Sequence, residues 1–380
     1  MRFTELLAGL ATLLVISSQN RADSQNDLDQ CKLVGETNKA DQSITACDQV
    51  LLDPNITRRI RVTALSNRCG WWWIKQDPDR ALSDCNAAIR VDPTYALAYV
   101  NRANAYLGKG DSEQAFANFD EAIRLDPKSA WAYVGRGNSH KNNGDLDHAL
   151  ADFNESIRLD PYYAPAYFHR GYLYRNKGNF DGALADLNES IRLDPNYALA
   201  YFNRGCVGYT MGNNAVAIDD FTKSIRLDPN YALAYFSRGV AYFVIGAHLA
   251  DAEADFRKAN ELNPKDAYAA LWLDLAERRN NVPSHLAQTA KHLDMTAWPA
   301  PLIRQFLGEL SPAEALVAGE RADPKTNLAE VCEANFYSGE WALLNGRKQE
   351  ALRLWKLAAN DCPPGLIEIN AAIVELIIKR

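Results

Sequence analysis

The chain has 380 residues, of which 47% are hydrophobic and 23% charged, and its formal net charge is −7. This length and hydrophobic content suffice to bury a large core, and length alone suggests two or three domains. An acidic balance disfavours nucleic acid as a partner, because phosphate recognition calls for a concentrated basic surface. We therefore expect no nucleic-acid binding.

The N-terminus has the pattern of a secretory signal. Arg2 precedes an apolar run from Leu6 to Ile16, and a polar stretch with a plausible cleavage point after Ala22 follows. This apolar run is too short to span a bilayer but fits the hydrophobic region of a signal peptide. A cytosolic helix that docks on the domain is the alternative. We expect residues 1–22 to be a signal peptide, and the mature protein to be periplasmic or secreted in a bacterium, without stable membrane insertion.

A five-residue segment, IRLDP or a near copy, recurs every 34 residues through the middle of the chain. In the register that places its proline at position 32, positions 8 and 20 are small, position 15 is mostly glycine and position 24 is bulky. Small residues allow two helices to cross closely, and glycine can end the first of them. The prolines that end the copies, including weaker copies at both ends, are Pro54, Pro93, Pro127, Pro161, Pro195, Pro229 and Pro264.

This pattern resembles the tetratricopeptide repeat (TPR), a unit of 34 residues that folds as helix A, a turn and helix B. Each unit leaves an apolar face open, so neighbouring units must stack. We expect an all-α fold, a right-handed α-solenoid of TPR helix–turn–helix repeats with a helical C-terminal cap. The segments predicted after the signal are a divergent N-terminal repeat (24–56), six TPR repeats (62–264), a divergent helical region (265–330) and a TPR-like repeat with a capping helix (331–380).

Six of the seven cysteines form three pairs that obey one register rule. In an antiparallel helix pair that turns near position 14 or 15, residues whose positions sum to about 30–32 face each other, and each cysteine pair sums to 32. We expect three disulfides, which indicate an oxidising compartment. Metal binding is the alternative, but no CxxC or Cys/His cluster completes a ligand set, so we expect no metal site. The predicted pairs are Cys31–Cys47, Cys69–Cys85 and Cys332–Cys362, and Cys206 is predicted to keep its thiol.

The inner wall of the helix A row is the predicted binding surface. An apolar stripe at position 5 lies beside carboxamides at positions 6 and 9, and such a wall suits an extended peptide, since amides pair with its backbone and aromatics with its side chains. The alternative is that position 5 packs against the adjacent repeat while the asparagines are solvated. The predicted peptide-binding residues are Asn101, Asn104, Asn138, Phe168, His169, Tyr172, Phe202, Asn203 and Phe236.

Position 7 carries arginine in six consecutive repeats, which raises the possibility of an anion-binding track. However, position 23 is acidic or an amide and faces position 7 across the hairpin, so we expect intra-repeat bridges instead. The arginines are Arg68, Arg102, Arg136, Arg170, Arg204 and Arg238.

Roughly residues 264–380 resemble the bacterial NlpI-type TPR proteins of the cell envelope. The resemblance is carried by the helix LWLDLAE, the segment WPAPLIRQFLGELSPAEAL, and NFYSGEWALLNGRKQEALRLWKLA with the helix after it. It implies a periplasmic helical adaptor, often dimeric, that holds murein hydrolases and a C-terminal processing protease together. The chain departs from that family in lacking a lipid-attachment cysteine after the apolar run and in having more repeats.

No enzyme motif is evident: the sequence has no nucleophile elbow, no glycine-rich phosphate loop and no HExxH. We expect no catalytic residues and no cofactor. The leading hypothesis is a non-catalytic scaffold that binds extended peptide segments or partner proteins in the concave TPR groove. The alternatives are a self-assembling structural protein of the envelope, with a homodimer as one form, and an enzyme with a site in residues 265–330.

Overall fold

The structure is a computed structural model that describes residues 28–32, 39–246, 248–320, 327–361 and 367–378. Within those ranges the regular structure is helical throughout, and consecutive antiparallel helices stack as hairpins. The all-α solenoid class predicted from the repeat is therefore confirmed. The predicted signal peptide lies outside the described residues. The chain divides into two compact units, Met1–Ala200 and Tyr201–Arg380, which we describe separately.

Unit 1 consists of paired helices in which each helix A is followed by its helix B. The described part of unit 1 begins with one helical turn at residues 28–30, which is followed by α1. In the hairpins after them, α2 pairs with α3, α4 with α5, α6 with α7 and α8 with α9. Within the unit, α1, α3, α5 and α7 also pack against the helix A that follows each of them. The bounds are α1 (Ala40–Leu52), α2 (Arg58–Ile74), α3 (Pro78–Val91), α4 (Ala96–Gly108), α5 (Ser112–Leu125), α6 (Ala130–Asn142), α7 (Leu146–Leu159), α8 (Ala164–Asn176) and α9 (Phe180–Leu193).

One turn geometry joins helix A to helix B in unit 1. In the α6–α7 hairpin, Gly144 has a φ of 81°, a left-handed conformation that ends α6. The backbone N–H of Asp145 donates to the carbonyl of His140 at 2.9 Å. The Asp145 carboxylate then caps α7 by accepting from the N–H of His148. The same backbone bond joins Asp77 to Trp72, Asp111 to Tyr106 and Asn179 to Tyr174.

Two predicted cysteine pairs of unit 1 lie at bonding distance. The Cα atoms of Cys31 and Cys47 are 4.7 Å apart, and those of Cys69 and Cys85 are 5.4 Å apart. The second bridge joins α2 to α3, as the register rule requires. Of the third predicted pair, Cys332 is buried and Cys362 lies outside the described residues.

The helices of unit 2 include the last repeats, a less regular region and the C-terminal hairpin. None of the described helices is both long and apolar enough to cross a membrane. The bounds are α10 (Ala198–Thr210), α11 (Asn214–Leu227), α12 (Ala232–Ile245), α13 (Leu249–Leu262), α14 (Ala267–Arg279), α15 (Leu286–Thr289), α16 (Ala300–Phe306), α17 (Pro312–Glu320), α18 (Asn327–Leu344), α19 (Lys348–Asp361) and α20 (Ile367–Ile378).

The core of unit 2 is centred on Trp272 of α14, which is fully buried. Its ring lies 5.2 Å from that of Phe243 on α12 and 5.6 Å from that of Phe336 on α18. On the same helix, the buried guanidinium of Arg279 donates to Glu340 of α18 at 2.5 Å and to Glu375 of α20 at 2.6 Å. These contacts fix the C-terminal helix to the body of unit 2.

Candidate functional site

A depression lies on unit 1 where three successive A helices, α4, α6 and α8, run next to one another. It is shallow: about 420 Å³ of space lies within it and its open mouth, of which about 30 Å³ can hold the centre of a water-sized sphere. The residues around it are mostly apolar and include few polar groups, a composition typical of binding sites. They are Val100, Asn104, Leu107, Phe119, Trp131, Val134, Gly135, Asn138, Tyr163, Pro165 and His169.

The TPR register explains why these side chains converge. Val100 and Val134 both stand at position 5 of their repeats, and Asn104 and Asn138 at position 9. Position 9 follows position 5 by four residues and position 6 by three, so it lies one helical turn beyond both and on the same side of the helix. Of the nine predicted peptide-binding residues, Asn104, Asn138 and His169 are thus brought together around this depression.

Gly135 determines the shape of the depression. It stands at position 6, where the neighbouring repeats carry Asn101 and His169. A Cβ atom on Gly135 would overlap the ring of Phe119, which is fully buried beneath it. The absence of a side chain therefore gives room both to the ring and to the depression.

The polar group of the depression is the pair Asn138 and His169, whose Nδ2 and Nε2 atoms are 3.1 Å apart. Burial lowers the pKa of His169 well below its usual value, so the ring is neutral. Because an amide nitrogen only donates, Nε2 of His169 is the acceptor. Two other polar atoms of the lining, Asn138 Oδ1 and Tyr163 Oη, are buried without a hydrogen-bond partner in the described structure.

Trp131 is one of the lining residues that were not predicted from the sequence. It is half-buried at position 2 of α6, with its ring 6.2 Å from that of Tyr163. Position 2 belongs to the same inner face of helix A, so the register contained the signal. By contrast, the predicted Tyr172 stands outside the lining, where Lys141 and Arg175 each approach its ring to 5.0 Å.

The predicted phenylalanine row is packed between repeats rather than displayed on a wall. Phe168, Phe202 and Phe236 are each 6% exposed. The ring of Phe168 lies 4.8 Å from Tyr197 in unit 1, and within unit 2 the ring of Phe202 lies 4.9 Å from Tyr231. This burial favours the alternative that position 5 packs against the adjacent repeat, and peptide contact by these rings stays a prediction.

The remaining predicted asparagines are also buried. Asn101 is 6% exposed, and its Nδ2 donates to the carbonyl of Ser66 at 2.8 Å, which joins α4 to α2. Asn203 of unit 2 is 4% exposed. Asn101 therefore has a structural bond in place of a solvated amide, and its role in binding a peptide stays a prediction, as does that of Asn203.

The arginines of position 7 make the expected bridges within their repeats. Arg136, for example, donates from Nε and Nη2 to the two carboxylate oxygens of Asp152 at 2.9 and 2.7 Å. Asp84, Asp186, Asp220 and Asp255 receive the corresponding arginines in the same way, and Arg102 donates to Asn118. These guanidiniums therefore hold helix A against helix B.

Sequence comparison supports the repeat assignment directly. A TPR repeat family matches residues 104–144 and 171–212, and three families described as tetratricopeptide repeat match residues 85–117 and 153–185, 202–267, and 132–163. The chain is a tetratricopeptide repeat protein. Proteins built from such repeats use extended surfaces to bind other proteins or peptides.

Among relatives, the lipoprotein NlpI homolog of Haemophilus influenzae is 31% identical over 140 residues. The match spans 36% of this chain and 44% of the length of that relative. Two solved structures share the fold. The APC/C hetero-tetramer Cut9–Hcn1 has a TM-score of 0.58 at 17% identity, covering 74% of this chain and 54% of that one. PilF of Pseudomonas aeruginosa has a TM-score of 0.50 at 20% identity, covering 58% and 99%.

Proposed function

We propose that this TPR protein is a non-catalytic scaffold that binds an extended peptide segment of a partner protein at the depression between α4, α6 and α8. One apolar side chain of the peptide enters among Val100, Leu107 and Val134. A backbone N–H of the peptide donates to Asn138. The observation that carries the proposal is the buried Asn138 Oδ1, which has no partner in the described structure although its amide is oriented by His169.

An unsatisfied buried acceptor costs stability and calls for an explanation, and a ligand that supplies the missing donor is one such explanation. The apolar lining favours a protein ligand over nucleic acid, as does the net charge of −7. A peptide bound across three parallel A helices gains main-chain hydrogen bonds for affinity and side-chain contacts for specificity.

We also propose that the protein acts in the cell envelope, in the periplasm or outside the cell. Two disulfides are present in the described residues, and disulfides persist in oxidising compartments. The relative named above is a lipoprotein. The NlpI resemblance implies two kinds of partner, which are murein hydrolases and a C-terminal processing protease.

The test uses peptides selected by the mature protein from a displayed random library, whose affinities are then measured by fluorescence polarisation. Asn138→Leu keeps the side-chain volume but removes the acceptor. We expect each selected peptide to bind this variant about tenfold more weakly, because an unpaired amide costs about 1–3 kcal/mol. Asn154→Leu is the matched control, since Asn154 is exposed on α7 outside the lining of the depression, where its Oδ1 accepts a hydrogen bond from Arg170 at 2.7 Å.

Circular dichroism and thermal unfolding of both variants establish that the fold is kept. Equal affinity of the peptides for wild type and Asn138→Leu would contradict the proposal. A selection that yields no peptide would also contradict it. The same holds if Asn138→Leu and Asn154→Leu lower the affinity of the selected peptides equally.

A further inference from the structure

Two histidines and an aspartate meet at the turn between α6 and α7. Ligand atoms of His140, Asp145 and His148 all lie within 4.8 Å of one another. Oδ2 of Asp145 is 3.6 Å from Nδ1 of His140 and 2.7 Å from Nδ1 of His148. We propose that these three residues bind a divalent transition-metal ion of the Zn²⁺ class. No metal site is expected from the sequence, because its cysteines complete no ligand set, whereas these three side chains meet only through the geometry of the turn.

The turn that gathers these residues is common to the repeats, but its chemistry here is not. The three ligands stand at positions 11, 16 and 19, which the backbone bond between Asp145 and His140 holds together. The preceding repeat has the same bond between Asp111 and Tyr106. At the two histidine positions, the other hairpins of unit 1 carry Trp72 and Arg80, Tyr106 and Gln114, and Tyr174 and Gly182.

The aspartate is held in place by the fold and still has an oxygen for a metal. Oδ1 of Asp145 accepts from the backbone N–H of His148 at 3.3 Å, which caps α7, while Oδ2 faces both imidazoles. A metal bound by Oδ2 therefore leaves the cap intact. The cluster comprises more than surface acids, since two of its three members are imidazoles.

His140 is the most restrained member of the cluster. Its side chain is only 18% exposed, and the ring of Phe116 packs edge-on against it at 5.0 Å. Its Nε2 lies 3.9 Å from Oδ2 of Asp152, the carboxylate that Arg136 holds. That distance is longer than a hydrogen bond, so packing against Phe116 is what restrains the ring of His140. His148 is 72% exposed, and its ring stacks on that of His140 with the centroids 5.2 Å apart. When the ion binds, it replaces the contact between Nδ1 of His148 and Oδ2 of Asp145.

The donor set selects the class of metal. Two imidazole nitrogens with one carboxylate oxygen suit Zn²⁺, Ni²⁺ or Cu²⁺, whereas Ca²⁺ and Mg²⁺ prefer oxygen ligands. Metal–ligand distances of about 2.0–2.2 Å place the donors of a tetrahedral site about 3.3–3.5 Å apart. The 3.6 Å between His140 and Asp145 is close to that spacing. Three protein ligands leave the fourth position for water or for a group of a bound partner.

The experiment is isothermal titration of ZnCl₂ into untagged mature protein that has been stripped with a chelator. We expect a saturable site with one ion per chain, and a higher melting temperature with Zn²⁺ because a ligand stabilises the state that binds it. His140→Tyr and His148→Gln introduce the residues that the preceding repeat carries, so the hairpin fold is compatible with both. Each should weaken Zn²⁺ binding by about tenfold or more, since even outer partners contribute that much.

His292→Gln is the control, because His292 is an exposed histidine that does not belong to this cluster. It should leave the affinity unchanged. The proposal is overturned if the wild type shows no saturable Zn²⁺ binding. It is also overturned if His140→Tyr and His148→Gln bind Zn²⁺ as the wild type does, which would place the ion elsewhere.

Discussion

Arg170 and Asp186 face each other through two parallel hydrogen bonds, Nε to Oδ2 and Nη2 to Oδ1, each 2.7 Å long. Asp186 is 5% exposed, so the arginine supplies most of the compensation for its buried charge. We expect Arg170→Met to lower the free energy of unfolding by about 3–5 kcal/mol, because it leaves that charge buried and uncompensated. Urea unfolding followed by far-ultraviolet circular dichroism measures the loss.

Arg192 provides a control with nearly the same geometry at the surface. It makes two hydrogen bonds to Glu189, at 2.8 and 2.6 Å, but its side chain is 61% exposed. We expect Arg192→Met to lower the free energy of unfolding far less than Arg170→Met does, since water screens and replaces an exposed ion pair. Equal losses for Arg170→Met and Arg192→Met would show that burial does not govern the contribution of the position 7 arginines.

The sequence period predicted those features that depend on two positions within one repeat. The bridge of Arg170 to Asp186 and the disulfide of Cys69 to Cys85 both follow from the rule that positions summing to about 30–32 face each other. A period of 34 residues fixes the helix face of every residue, so contacts across one hairpin can be deduced without coordinates.

Features that depend on packing between repeats were not predictable in the same way. The period places Phe168 on the inner face of helix A, but whether its ring is displayed or buried depends on the next repeat, which places Tyr197 against it. Replacing such a ring by serine therefore tests stability more than binding, with an expected cost of about 3–5 kcal/mol. The depression likewise depends on one small residue, Gly135, whose effect appears only when Phe119 is placed beneath it.

The oxidation state of the seven cysteines can be counted. We expect one reactive thiol per chain when the non-reduced protein is unfolded and titrated with a thiol reagent. That thiol belongs to Cys206, which the structure places outside the disulfides. Reduction should then lower the free energy of unfolding by roughly 3 kcal/mol for each loop of Cys31–Cys47 and Cys69–Cys85, in the chain-entropy description. Mass spectrometry after alkylation identifies the residue modified.

Three reactive thiols would mean that the predicted pair of Cys332 and Cys362 does not form, while the two bridges of unit 1 do. Seven would contradict all three disulfides and with them the argument for an oxidising compartment. Cys206→Ser serves as the control, since it should remove the one expected thiol signal. Its melting temperature should change only as much as a conservative substitution at a half-buried position allows.

Glu368 makes the stability of unit 2 dependent on pH. It is 4% exposed, and burial together with the nearby Glu333 raises its pKa to about 7. Glu333 is itself buried and accepts hydrogen bonds from Tyr268 at 2.8 Å and from the indole of Trp298 at 2.7 Å. Because the folded protein holds a proton on Glu368 that the unfolded chain releases near its ordinary pKa of 4.5, folding is favoured at low pH.

The sign of the effect follows from this difference in proton binding. The contribution of Glu368 to stability is fully present below pH 4.5 and is lost as the pH rises through 7, a loss on the order of 3 kcal/mol. We expect the melting temperature of the wild type to decrease as the pH is raised from 5 to 8. The Gln side chain of Glu368→Gln can accept the hydrogen bond that Tyr337 donates at 3.3 Å. The melting temperature of this variant should decrease less over the same pH range. Glu309→Gln at an exposed position should behave as the wild type does. A wild-type slope that Glu368→Gln leaves unchanged would mean that other carboxyls, and not this buried one, set the pH response of the C-terminal unit.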